Sequence, residues 1–184
     1  MRYLLLLAAL TTAFGLQSCK ENNKELPQNE QTETTAEKTR YEAAPASVEF
    51  NDPKIADIYK AYIDLKTQLV NSDMATTAKA AEELLTAMSN YGVEEETFLA
   101  GQYIVESQSL EGQREGFERI TAALEPMLLE NIKGGTVYKQ YCPMAFNNKG
   151  AYWLSNSQEI YNPYFGDVML RCGRVSDSLQ ISAN

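Results

Sequence analysis

The fold is decided by the stretch DPKIADIYKAYIDLKTQL, residues 52–69. Asp52 and Pro53 are residue types that begin helices, because an Asp side chain caps free backbone N–H groups and Pro suits the first helical position. Apolar residues then recur every three or four positions, as in an amphipathic helix: Ile55, Ile58, Tyr59, Tyr62, Leu65 and Leu69. The stretch therefore predicts a helix with one aromatic-rich face that must be buried.

Three further helices are predicted by the same spacing. Asn71-Ser72-Asp73 separates the first from the second, Gly92 ends the second, and the third begins at Glu94–Glu96. Their apolar faces are Met74, Ala78, Ala81, Leu85 and Met88 in the second, Phe98, Leu99, Tyr103 and Ile104 in the third, and Phe117, Ile120, Leu124 and Leu128 in the fourth, residues 110–131. Pro126 is expected to kink the fourth helix or end it early. Short connections predict an up-and-down bundle of three or four helices.

The C-terminal part of the chain has a different character. Gly134 and Gly135 end the helical periodicity, and residues 136–138 and 151–154 have β-like composition around the turn-forming residues 147–150. Residues 167–172 are compatible with either a short strand or a single helical turn. The chain is therefore predicted to be mainly α, with a C-terminal irregular or short-β segment packed on the bundle, and the domain is predicted to cover residues 51–184.

The N-terminal residues predict export and a lipid anchor. Residues 3–16 are almost wholly apolar or small, which is too short for a membrane-spanning helix but suits a signal peptide. Leu16-Gln17-Ser18-Cys19 resembles the lipobox of bacterial lipoproteins, which implies cleavage after residue 18 and lipidation of Cys19; the alternative is an ordinary signal peptide with a chance cysteine. Residues 19–50 are polar and are predicted to be a disordered tether. The expected location is the cell envelope, periplasmic or on the outer-membrane surface.

Composition excludes several classes of function. The chain has 25 acidic and 16 basic residues, a net charge of −9, and no histidine. The acidic balance argues against a nucleic-acid partner. The lack of histidine excludes a Ser-His-Asp or Cys-His nucleophile and His-ligated zinc. We therefore expect a protein that is not an enzyme.

Two short sulfur pairs bracket the most unusual stretch of the chain. Cys142 and Met144 are two residues apart, and Met169 and Cys172 are three apart. Thiolates and thioethers are soft donors that select Cu(I) or similar ions. If the pairs meet, these four residues would form a site for Cu(I) or Ag(I), which Trp153 would shield.

A disulfide between Cys142 and Cys172 is the alternative interpretation. In an exported protein with Cys19 lipidated, the two remaining cysteines would lie in an oxidising compartment, where such pairs are usually bridged. The bridge would close a loop of about 30 residues and stabilise it by roughly 3–4 kcal/mol in the chain-entropy model. The sequence leaves both interpretations open, and a site that binds metal only when reduced would combine them.

The same segment resembles the DUF3347 family in a series of short motifs: Tyr141-Cys142-Pro143-Met144-Ala145, Asn147-Asn148-Lys149-Gly150-Ala151-Tyr152-Trp153-Leu154-Ser155, Asn162-Pro163-Tyr164-Phe165-Gly166-Asp167 and Cys172-Gly173. The resemblance extends over residues 52–175, and residues 110–117 are similar to the opening of the family's last helix. The family occurs in exported proteins of Bacteroidetes-type bacteria and fused to periplasmic adaptor subunits of heavy-metal efflux systems. Many relatives carry a histidine in the helical region, which this chain lacks.

The resemblance implies a periplasmic role near copper or silver handling. The partners it implies are the membrane, through the lipid anchor, and a metal-efflux or other envelope protein. The alternative function is a disulfide-stapled interaction module that binds no metal, with the aromatic residues between Tyr161 and Phe165 as docking residues.

Overall fold

The computed structural model describes residues 40–180, and four helices form its larger part. They are α1 (Pro53–Asn71), α2 (Met74–Tyr91), α3 (Glu95–Glu106) and α4 (Leu110–Glu130). Side chains cap three of their N-termini as the sequence predicted for α1: Asp52 accepts from the Lys54 N–H, Asp73 from the Thr76 N–H and Ser109 from the Gly112 N–H. Consecutive helices pack on one another, which confirms the predicted up-and-down bundle.

Helix α1 lies at the centre of the domain because it packs on α2, α4 and the N-terminal residues. Its six predicted core residues are all buried: Ile55, Ile58, Tyr59, Tyr62, Leu65 and Leu69. The opposite flank of the helix is also covered, so that the polar residues Lys66 and Thr67 are buried as well. The sequence predicted a single apolar stripe, so it did not predict that a second face of the helix would also be buried.

Helix α3 departs from its predicted packing. Ile104 is fully buried, but the predicted core residues Leu99 and Tyr103 are exposed. The reason lies at Gly101, whose position faces Leu85 and Met88 so closely that an added Cβ would be 3.0 Å from a Leu85 methyl group. The glycine weakens helix propensity but allows close approach to α2, and this contact decides which face of α3 points inward.

Helix α4 continues through Pro126 to Glu130, so of the two predicted outcomes, a kink or an early end, the early end does not occur. A proline removes one backbone donor and crowds the carbonyl four residues before it. Apolar contacts on both sides of this position offset that cost, since Leu124 and Leu128 are fully buried.

Two small antiparallel sheets complete the domain. Strand β1 (Glu49–Phe50) pairs with β2 (Ile132–Gly134), and β3 (Val137–Cys142) lies between β4 (Ala151–Ser155) and β5 (Arg174–Leu179). Of the predicted β-like segments, residues 137–138 lie in β3 and residues 151–154 lie in β4, while Thr136 immediately precedes β3. Residues 166–169 form a 3₁₀ turn, which resolves the open choice for this region in favour of a helical turn.

The N-terminal boundary of the domain lies earlier than predicted. Residues 40–48, here called the strap, pack on the domain, and residues 49–50 pair in a strand, although the sequence assigned them to the tether. Apolar and aromatic side chains in this stretch give it surface to bury, including Tyr41, Val48 and Phe50. The predicted signal peptide 1–18, the predicted lipidation at Cys19 and the predicted tether up to residue 39 lie outside the described residues. Within residues 40–180, no helix has the length and apolar character needed to cross a membrane.

Candidate sulfur site

The thiol groups of Cys142 and Cys172 lie in contact. Their Sγ atoms are 3.1 Å apart, and both residues are free cysteines. Cys142 is fully buried at the end of β3, whereas Cys172 is half-buried just before β5. Cys142 is therefore inaccessible to solvent, whereas Cys172 is partly accessible.

Strand pairing and one asparagine bring these two distant residues together. Strand β5 pairs with β3 so that Tyr141 lies opposite Arg174, which carries Cys172 back to the end of β3. The loop between β4 and β5 is held by the fully buried Asn162. Its side-chain N–H donates to the Cys172 carbonyl (2.7 Å), and its side-chain oxygen accepts from the Tyr164 N–H (2.8 Å).

The contact raises the pKa of the Cys172 thiol. Its pKa is raised first by the hydrogen bond with Cys142, and then by burial and by the charge of Cys142, while the Met144 N–H acts in the opposite direction. A raised thiol pKa favours the protonated form. A metal ion or an oxidant that reacts here therefore has to displace a proton from this thiol.

The two methionines line a groove of about 900 Å³ beside the cysteines. Met144 is 47% exposed, and its backbone N–H lies at Cys172. Met169 lies in the 3₁₀ turn, and its carbonyl accepts from the Cys172 N–H (3.0 Å). The structure thus brings the two thiols into contact and places the backbones of Met144 and Met169 next to Cys172.

Charged residues of α4 form the opposite wall of the groove: Glu111, Arg114, Glu115, Glu118 and Arg119. Arg114 also holds the loop, because its Nε donates to the Pro163 carbonyl (3.0 Å) and its Nη2 donates to Ser72 Oγ (3.1 Å). Burial lowers the pKa of Arg114, although a guanidinium stays charged at neutral pH.

The rim of the groove carries backbone strain. Phe146, Asn147 and Asn148 are three successive residues with positive φ, at 49°, 57° and 67°. Asparagine tolerates this region, but a bulky residue such as phenylalanine does so at a cost of order 1–3 kcal/mol. The Phe146 ring packs edge-on against Tyr164 (5.3 Å), a contact that offsets part of the cost.

Trp153 is fully buried and lies against Gly173, the residue that follows Cys172. Its ring meets Tyr164 edge-on at 5.9 Å, and it lies so close to Gly173 that an added Cβ there would be 2.9 Å from the indole. Because Gly173 follows Cys172 directly, the indole covers the inner side of the cysteine turn. The sequence missed the roles of Asn162 and Tyr164, since Asn162-Pro163 predicts only a turn and a tyrosine in an aromatic stretch predicts only packing.

The donor set decides which metal the residues fit. Within residues 40–180, no group of three or more His, Cys, Asp or Glu side chains lies close enough to hold a metal ion. The four predicted residues offer thiol and thioether sulfurs, which are soft donors of the kind that Cu(I) or Ag(I) prefers. Metal binding at these residues stays a prediction.

These features define a class of protein: a four-helix bundle whose small C-terminal sheet carries a thiol pair. Residues 58–133 match the model of a family described as a protein of unknown function, DUF3347. The match confirms the resemblance over residues 58–133. The matched range covers the helices and ends before β3, so the resemblance of residues 137–173 stays a prediction. No curated protein and no solved structure matches the chain.

Proposed function

We propose that this domain is a non-enzymatic module that binds a soft metal ion, Cu(I) or Ag(I), in metal tolerance or efflux at the cell envelope. The ligands would be Cys142 and Cys172, with Met144 and Met169 as thioether donors. The observation that carries the proposal is the 3.1 Å contact between the two thiols. The proposal includes an anchor at Cys19 and a metal-efflux or other envelope protein as partner.

The placement of the two sulfurs supports a site that takes up and releases metal. Two thiolates that share a metal at about 2.3 Å and a tetrahedral angle are about 3.8 Å apart, so the thiols need to separate by less than 1 Å. Cys172 is partly open to solvent, which gives an ion a path, while the buried Cys142 provides a water-poor environment. Both features suit a soft ion that arrives from another protein's sulfur ligands.

The same contact favours one second candidate, a disulfide-stapled interaction module without metal. A bridge needs an S–S distance of about 2.05 Å, which requires the sulfurs to approach by about 1 Å. In that case the predicted docking residues need revision, because Asn162, Pro163 and Tyr164 are buried. Tyr161 stacks on Tyr41 at 4.0 Å, so most of the predicted aromatic surface is already occupied within the domain.

Anaerobic titration of the reduced protein with Cu(I), against a competing chelator, tests the metal proposal. We expect one Cu(I) per chain, with tight binding lost in the Cys142→Ser, Cys172→Ser double variant. Met144→Leu and Met169→Leu should weaken binding, because each removes one soft donor. Met74→Leu is the matched control, since Met74 is 44% exposed on α2 and lies outside the groove lining.

Unchanged affinity in the double cysteine variant would overturn the proposal. The mass and thiol count of protein purified from the periplasm without reductant separate the two candidates. Two free thiols with retained copper or silver support the metal site. A chain lighter by two hydrogens, with no free thiol and no metal after reduction and reloading, supports the stapled module.

A further inference from the structure

Lys66 is a lysine buried in the core without a charged partner. It lies on α1 and is 0% exposed. Its Nζ donates to the Ser155 hydroxyl at 3.2 Å, and no carboxylate among residues 40–180 forms an ion pair with it. Burying an unpaired ammonium is expensive, so a lysine in such a place is held as the neutral amine or is exposed by a movement of its surroundings.

The strap supplies one of the surfaces that cover this lysine. The Tyr41 ring lies over the amine, 5.6 Å from Nζ to the ring centroid. Tyr41 is fixed by its backbone, because its N–H donates to the Asn71 side-chain oxygen (2.8 Å) and its carbonyl accepts from the Asn71 side-chain N–H (3.0 Å). Arg40 adds an exposed contact to Asp73 (3.3 Å).

The strap is attached further by a hydrogen bond from Arg40 to the Gln68 side chain (2.9 Å) and by Ala43 and Val48, which pack on the core. Tyr41 stacks on Tyr161 at 4.0 Å, and Asn156 donates a hydrogen bond to the Ala44 carbonyl. The strap residues form no helix or strand of their own. A segment held by a few side-chain contacts opens at a lower free energy than a helix of the core.

The groups around Lys66 and its cover do not neutralise an ammonium. Ser155 is uncharged, and the cation–π attraction of the Tyr41 ring is weaker than the cost of burying an unpaired charge. The charged and titratable groups facing the strap are Tyr161, Glu159 and Arg171, which act on Tyr41. Burial first, then Tyr161 and Glu159, raises the pKa of Tyr41 to about 12, so the tyrosine carries no charge that would balance Lys66. Burial alone lowers the pKa of Lys66 to about 7.

We propose that residues 40–48 form a latch that closes over Lys66 while its amine is uncharged and opens when the amine takes up a proton. The latch responds to a proton that binds the Lys66 amine. Its two states differ in whether Tyr41 covers that amine. This device is independent of the thiol pair and of any metal.

The direction of the pH dependence follows from proton binding. In the closed state Lys66 titrates near 7, and in the open state it returns toward its ordinary value of 10.5. Between these two pH values the open state therefore binds more protons than the closed state. The equilibrium constant for closing consequently rises with pH in this window, by about tenfold per pH unit. Below about pH 7 the amine is protonated in both states, and the latch becomes insensitive to pH.

Hydrogen exchange of the full chain, followed by mass spectrometry between pH 6 and 9.5, tests the latch. After correction for intrinsic exchange rates, the protection of residues 40–48 should rise about tenfold per pH unit above pH 7. Peptides from the buried core of α4, such as residues 117–128, report global opening and should keep higher protection throughout. In Lys66→Met the strap should be protected to the same extent at every pH, because nothing remains to be protonated there.

Lys60→Met is the matched control, since Lys60 lies on the same helix, is exposed and pairs with Asp64 at 2.7 Å. This variant should keep the wild-type pH dependence. The latch is overturned if the pH dependence persists in Lys66→Met or is absent from the wild type. A second variant tests the latch if Lys66→Met folds poorly. In Tyr41→Ala the pKa of Lys66, followed by NMR, should move toward 10.5. An unchanged pKa in this variant would also overturn the latch.

Discussion

At the scale of single residues, two buried tyrosines of α1 differ in what their hydroxyl groups bind. Tyr62 accepts from the Leu154 N–H of β4 (3.0 Å) and shares a hydrogen bond with Thr121 of α4 (2.8 Å). The Tyr62 hydroxyl thus links α1 to both α4 and β4. The Tyr59 hydroxyl is buried and has no hydrogen-bond partner in the described part of the chain.

This difference predicts opposite effects of the same small substitution. Tyr62→Phe should lower the free energy of unfolding by about 1–3 kcal/mol, because the buried Leu154 N–H loses its acceptor. Tyr59→Phe should be neutral or stabilising, since it removes a buried hydroxyl that makes no bond. Urea unfolding of both variants measures the effect, and equal losses in the two would contradict the role assigned to the Tyr62 hydroxyl.

At the scale of elements, the loop between β4 and β5 positions one of the two thiols. The Asn162 side chain donates a hydrogen bond to the Cys172 carbonyl and accepts one from the Tyr164 N–H. The loop also contacts the strained residues 146–148, because the Phe146 ring packs edge-on against Tyr164. The site therefore depends on an irregular segment that side chains hold in place.

Removing the Asn162 amide should loosen the thiol pair. In Asn162→Ala we expect a loss of about 1–3 kcal/mol in unfolding free energy and a lower equilibrium constant for disulfide formation against a glutathione buffer, because the two sulfurs meet less often. Asn90→Ala, at an exposed position near the end of α2, is the control and should change neither quantity. A destabilised Asn162→Ala with an unchanged thiol–disulfide equilibrium would show that the loop does not set the sulfur contact.

At the scale of the whole molecule, the state of the thiols should be visible in global stability. Oxidation of Cys142 and Cys172 closes a loop of about 30 residues and should raise the free energy of unfolding by about 3–4 kcal/mol over the reduced protein. Denaturant unfolding with and without reductant measures this difference. The Cys142→Ser, Cys172→Ser double variant should show no response to reductant, and a wild-type protein that also shows none would contradict a bridge across this site.

The helices show which features of the fold can be predicted from residues that are close together in the chain. Apolar spacing and capping residues placed α1, α2 and α4 close to their observed bounds, because both effects act within a few residues of chain. The face of α3 was predicted wrongly at Leu99 and Tyr103, since the contact made by Gly101 depends on a neighbouring helix. Strand β5 gave no signal at all: its residues are mostly polar and exposed, and it is defined by pairing with β3.

One set of properties could be read from the chain before folding: the helical bundle, the acidic character, the absence of histidine chemistry and the kind of donor atoms available. A second set exists only in the folded domain: the contact of Cys142 with Cys172, the groove shared by Met144 and Met169, and the strap over Lys66. The first set rests on residue types and on interactions within one or two helical turns. The second rests on strand register and on contacts between segments far apart in the chain, and these follow from the packing of the whole domain.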